Sequence, residues 1–154
     1  MAEEVGLYVR YRDGGRELLY MTPVREHRYR LEVTSICGHL RYGDTIEVGS
    51  PLADGSVPYR RIVKRSGLKT HCFILPLGLL ESPGICSLWE RIDLLGGQCE
   101  GIAGGVFVVH LPRNCQLDVG REIDKVLGIS TLRRRIRNWK WRLKRANDWL
   151  LGLR

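Results

Sequence analysis

The chain reads as an α+β protein. It opens with an N-terminal curved antiparallel β-sheet or small barrel, continues into a partial ferredoxin-like β-α-β-β-α half, and ends in a basic amphipathic helix. Three observations predict this. Short runs with strand-like alternation, punctuated by glycine turns, fill the first half. A strand–helix–strand–strand–helix order follows from about residue 70. The last 24 residues then change to helical spacing and carry dense positive charge.

The first strands are expected at 6–12 and 17–21, joined by Asp13-Gly14-Gly15, a good hairpin turn. In 28–33, Tyr29, Leu31 and Val33 alternate with Arg28, Arg30 and Glu32, so one face is apolar. A strand at 45–48 follows Gly43-Asp44, and Asp54-Gly55 turns into another at 59–65. Ser66-Gly67 turns again into 69–75. Residues 86–95 read as a helix closed by Gly96-Gly97. Strands at 98–102 and 106–111 flank Ala103-Gly104-Gly105, and a second helix, 116–127, stops at Gly128.

The last segment is the most informative. Ser130 stands where an N-cap would be, and Leu132, Ile136, Trp139, Leu143, Ala146, Leu150 and Leu153 follow at steps of four and three. At 100° per residue they occupy an arc of roughly 100°, one face of a helix about 36 Å long. Opposite lie Arg134, Arg137, Lys144, Arg145 and Asp148, with Trp141 about 180° from Leu132. Residues 131–154 hold nine of the chain's 25 Lys/Arg and one of its 17 acids. The rest of the chain is therefore balanced, with 16 of each, and the whole net charge of +8 sits in the tail. Like charges at i,i+3 and i,i+4, such as Arg133–Arg137 and Lys140–Lys144, destabilise a free helix. Such a face gains when it meets an anion.

At 154 residues the chain is one domain or one domain with an arm, divided here as a 1–128 body and a 129–154 basic helical arm. Cys37, Cys72, Cys86, Cys99 and Cys115 are odd in number and widely spaced, without a CxxC or CxxH pair. They are expected as buried free thiols, with no metal and no cofactor. Met1-Ala2-Glu3-Glu4 leads into no long apolar run, and no stretch approaches the roughly 20 apolar residues that span a bilayer. The expected setting is cytoplasmic.

Within the body, residues 64–71 form the most polar cluster. Arg65, Ser66 and Lys69 are candidate anion ligands at a basic hairpin tip, while the plainer reading makes Ser66-Gly67 only a turn. Gly101, Gly104 and Gly105 do not make a phosphate loop, because the loop joins two strands and no helix N-terminus follows it. No spacing supports a nucleophile–base pair or a carboxylate pair, so the reading is of a protein that is not an enzyme.

The body also resembles the bacterial DUF4265 family. The resemblance rests on Arg28-Tyr29-Arg30-Leu31, on Tyr42-Gly43-Asp44 with Ile46-Glu47-Val48, and on Val63-Lys64-Arg65-Ser66-Gly67 with Thr70. Leu95-Gly96-Gly97, Gly101, Val108-Val109 and Pro112 close the pattern. It covers roughly residues 5–128 and implies a fold but no activity. The Arg/Trp-rich tail departs from the family, whose members tend to end in a short acidic or aromatic segment.

The functional expectation is binding through the tail. Arg134, Arg137, Lys144 and Arg145 would contact phosphates, and Trp141 would stack on bases. Nucleic acid is preferred slightly. The alternative is an immunity- or antitoxin-type regulator that binds an acidic protein, and a further one is peripheral association with an anionic membrane, which the sequence disfavours. Leu132, Ile136, Trp139 and Leu143 are a candidate homodimer seam.

Overall fold

The computed structural model describes residues 3–36, 39–102 and 104–128. By its internal contacts the chain separates into two compact units, Met1–Gln116 and Leu117–Arg154.

The first unit begins with five strands: β1 (Val5–Arg10), β2 (Arg16–Arg25), β3 (Arg28–Leu31), β4 (Thr45–Val48) and β5 (Val57–Lys64). They pair in sequence order as an antiparallel meander. A parallel pairing of β1 with β5, Val9 beside Val57, closes it into a barrel. Strand alternation sends Val9, Leu19, Met21, Leu31, Ile46, Val48 and Val57 inward, and Leu40 joins them from the β3–β4 connection. With five strands the interior is only wide enough for these side chains, so the barrel is filled.

A second, three-stranded sheet follows: β6 (Lys69–Ile74), α1 (Pro83–Leu94), β7 (Gln98–Ile102) and β8 (Val106–Leu111). Its order is β6-β8-β7, with β8 antiparallel to both neighbours. β6 and β7 are therefore parallel and joined through α1, with β8 between them, which is the split βαβ arrangement. Helix α1 buries Ile85, Leu88 and Ile92, and Trp89 packs its ring 5.8 Å from Phe107 of β8. In the second unit, α2 (Val119–Val126) buries Val119 and Ile123, one turn apart. The fold class is α+β.

Several element ends differ from expectation for identifiable reasons. β2 runs on to Arg25 through Pro23, and the ladder to β3 shifts register between Pro23 and Arg25. A bulge is where a strand tolerates a residue without an N–H. Helix α1 starts earlier, because Ser82 accepts the Ile85 N–H and Pro83 stands in the first turn. Its expected end holds: Gly96 donates to the Asp93 carbonyl and Gly97 to that of Ile92, a Schellman closure with Gly96 at φ 72°. α2 starts later, at the Asp118 cap, whose carboxylate accepts the Arg121 N–H at 3.0 Å.

The 64–71 segment is not a hairpin. β5 and β6 belong to different sheets, and Ser66-Gly67 lies in the connection between them. Alternating apolar residues either side of a glycine read the same in both cases, and only strand partners decide. The expectation of buried thiols also needs correction, since Cys86 is exposed on α1. Cys99 is buried, Cys72 and Cys115 are partly so, and Cys37 lies outside the described residues.

Candidate functional site

Residues 32–44 connect β3 to β4. Two carboxylates from other strands, Glu17 and Glu100, and Asp44 at its own end hold this connection. Glu17 of β2 accepts from the Ser35 hydroxyl at 2.6 Å, the Ile36 N–H at 2.7 Å and the Tyr11 hydroxyl at 3.1 Å. Asp44 accepts the Arg41 N–H at 3.2 Å, closing the connection on itself. Glu100 of β7 accepts the Thr34 N–H at 2.7 Å and its hydroxyl at 2.6 Å.

Glu100 leads to a buried imidazole. His110 of β8 is fully buried, with Nε2 2.8 Å from Glu100 Oε1 and 2.9 Å from Thr34 Oγ1. Its Nδ1 lies 3.0 Å from the Thr70 hydroxyl of β6, and Tyr42 stacks on the ring with centroids 5.6 Å apart. A carboxylate only accepts, so Nε2 carries the proton that faces Glu100. Burial works against the charge on Glu100, but hydrogen bonds from His110 and Thr34, with the attraction of His110, outweigh it. They hold the carboxyl below its ordinary range. Tyr42 is pushed up, first by burial and then by the charge of Glu32.

Chemically this is a hydroxyl–imidazole–carboxylate chain, Thr70–His110–Glu100. Both ring nitrogens are engaged and Tyr42 covers one ring face. The arrangement therefore works as a clasp fastening the barrel's long connection to the three-stranded sheet, not as a base open to a substrate.

Of the residues expected to bind anions, Arg65 is committed elsewhere. Its Nη1 donates to Asp44 Oδ2 at 2.8 Å and to the His39 carbonyl at 3.0 Å. The Ser66 N–H also donates to Asp44, at 2.9 Å. Asp44 is 1% exposed, so the guanidinium balances a buried charge. Gly43 allows the approach: at φ 78°, an added Cβ would sit 2.9 Å from Ser66 Cβ. Lys69 is exposed at the start of β6. Arg65 and Ser66 are thus brought together around Asp44. The tail ligands Arg134, Arg137, Trp141, Lys144 and Arg145, and the seam residues Leu132, Ile136, Trp139 and Leu143, lie outside the described residues.

On the outer barrel wall, arginines share acids. Arg10 and Arg16 both pair with Asp54, and Arg28 and Arg61 both pair with Glu47, at 3.0 and 3.3 Å. The Ser56 hydroxyl and N–H first, and then these arginines, hold Asp54 below its usual range. Hydrogen bonding from Arg61 does the same for Glu47, with Arg28 adding to it. Among the described residues, no helix is long and apolar enough to cross a membrane.

Comparison with known proteins finds no family model and no curated protein that match. A solved structure of a hypothetical protein from Neisseria gonorrhoeae is similar, with a TM-score of 0.49 and 14% identity. The alignment covers 84% of this chain and 90% of that one.

Sequence reasoning missed the clasp entirely. Thr34, Tyr42, Thr70, Glu100 and His110 span 76 positions in the chain and share no local motif. The one available signal was His110, a titratable residue inside the apolar run Val106–Leu111.

Proposed function

We propose that this protein is a non-catalytic binding protein whose basic C-terminal segment contacts a polyanionic partner, with nucleic acid preferred. One observation carries the reading: the whole net charge of +8 falls in residues 131–154, beside a body with equal numbers of basic and acidic residues. Such segregation concentrates counterion release in a single stretch, which gives affinity without base recognition. Trp141 among Arg137, Lys144 and Arg145 adds a stacking group. The body is proposed to belong with the DUF4265 family, and the protein to act in the cytoplasm.

A titration of labelled single- and double-stranded oligonucleotides tests this. With four or five phosphate contacts, log K should fall against log salt with a slope of about −3 to −4.5. Replacing Arg134, Arg137, Lys144 and Arg145 by Gln should flatten the slope. No binding at low salt would remove nucleic acid.

The neutral body supports a second reading, an immunity- or antitoxin-type regulator of an acidic protein, because nucleic-acid binders often spread basic charge over the fold. A pull-down with and without nuclease treatment separates the two.

A further inference from the structure

We propose that the outer face of the β1–β2 hairpin is a stacking surface for single-stranded nucleic acid. This deepens the polyanion reading and rests on it for the class of ligand, but it uses different residues. Val9, Leu19 and Met21 point into the barrel, so strand alternation sends Tyr8, Leu18 and Tyr20 outward. Their exposures are 49%, 39% and 46%, high for large apolar side chains that neighbour one another.

The register sets Tyr8 opposite Leu18 and Tyr20 opposite Gly6. The two tyrosines are therefore diagonal neighbours, about 7–8 Å apart. Consecutive bases of an extended strand can each take one ring at that spacing. Gly6 makes room: a Cβ there would already lie 3.4 Å from Tyr20 Cε1 and 3.5 Å from Leu18 Cδ1. Tyr20 thus leans over the bare backbone of β1 and keeps its other side to solvent.

Cations flank the Tyr8 ring. The Arg16 guanidinium lies 4.9 Å over the Tyr8 ring, and Arg10 is its cross-strand partner. Both share Asp54, so one carboxylate orients two guanidiniums and leaves one positive charge in excess. Aromatic faces beside positioned, half-compensated guanidiniums complement bases joined by phosphates. A neutral apolar partner would leave that excess charge unanswered.

The test uses the full chain, a labelled oligothymidylate and, as an anion without bases, inorganic polyphosphate. Tyr8→Thr and Tyr20→Thr put β-branched residues of high strand propensity in place of the rings, and thermal melts check folding. Each should weaken oligonucleotide binding roughly ten-fold and leave polyphosphate binding unchanged, and Tyr→Phe should restore it. Ultraviolet crosslinking of the unaltered chain should place adducts at Tyr8 or Tyr20. The proposal is overturned if both ligands weaken together or neither does, or if adducts are confined to residues 129–154. Arg134→Gln with Arg137→Gln is the separate arm: where it lowers both affinities, the basic-tail reading survives the loss of this proposal, and where it lowers neither, that reading falls on its own. Wild-type protein that binds neither probe ends both.

Discussion

Glu100 is charged in a place where burial opposes charge, and its partners decide the outcome. Its carboxyl is held below the ordinary range in the folded chain, so between the folded and unfolded values the unfolded state binds more protons. The stability it contributes is full above the unfolded carboxylate value and is lost as pH falls through the folded one. Glu100→Gln should lower stability by about 1.5–3 kcal/mol at neutral pH and flatten the acid limb of a pH–stability curve. A variant with an unchanged acid limb in urea melts would show that the clasp is not a source of stability. Thiol chemistry gives an independent check. Burial, with the nearby charges of Asp93 and Glu100, pushes the Cys99 thiol up to about 12, while Cys86 is exposed. Iodoacetamide followed by peptide mass mapping should find Cys86 alkylated well before Cys99.

At the scale of elements, the glycine after β7 controls how the second sheet closes. Gly105 has φ 80°, and an added Cβ would stand 2.4 Å from the Leu75 carbonyl oxygen, which belongs to the backbone and cannot step aside. Leu75 N–H in turn donates to the Gly105 carbonyl at 2.8 Å, tying the end of β6 to the β7–β8 turn. Gly105→Ala should cost about 1–3 kcal/mol in a denaturant melt, through strain and the displaced contact together. By contrast Gly55, at φ 76° with nothing near an added Cβ, should cost only its backbone strain. At α1, Ser82→Ala removes the side-chain acceptor for the Ile85 N–H and should cost about 1 kcal/mol.

For the whole molecule, the balance of 16 basic and 16 acidic residues before residue 131 makes a direct prediction. Removing 130–154 should leave a chain with an isoelectric point near neutral that still melts cooperatively and loses most of its salt-dependent affinity for polyanions. Circular dichroism and calorimetry of the truncated chain check it. Loss of cooperative melting would mean that the Leu132/Ile136/Trp139/Leu143 stripe is part of the core, and would retire the separable arm.

Among the described residues, the sequence by itself determined the kinds of element and most of their places. Thr45–Val48, Gln98–Ile102 and Val106–Leu111 were legible residue for residue, because side-chain alternation and glycine turns are local signals. The segregation of charge is legible for the same reason, since it needs no partner to be counted. Tertiary structure alone decided that β1 closes onto β5, that 64–71 bridges two sheets, and that Arg65 answers the buried Asp44. It alone joined Thr34, Thr70, Glu100 and His110 into a clasp, and set Tyr8 and Tyr20 diagonally on one exposed face. These are relations between residues far apart in the chain. Strand pairing and register create them, and no periodicity within a single segment encodes which strand its neighbour will be.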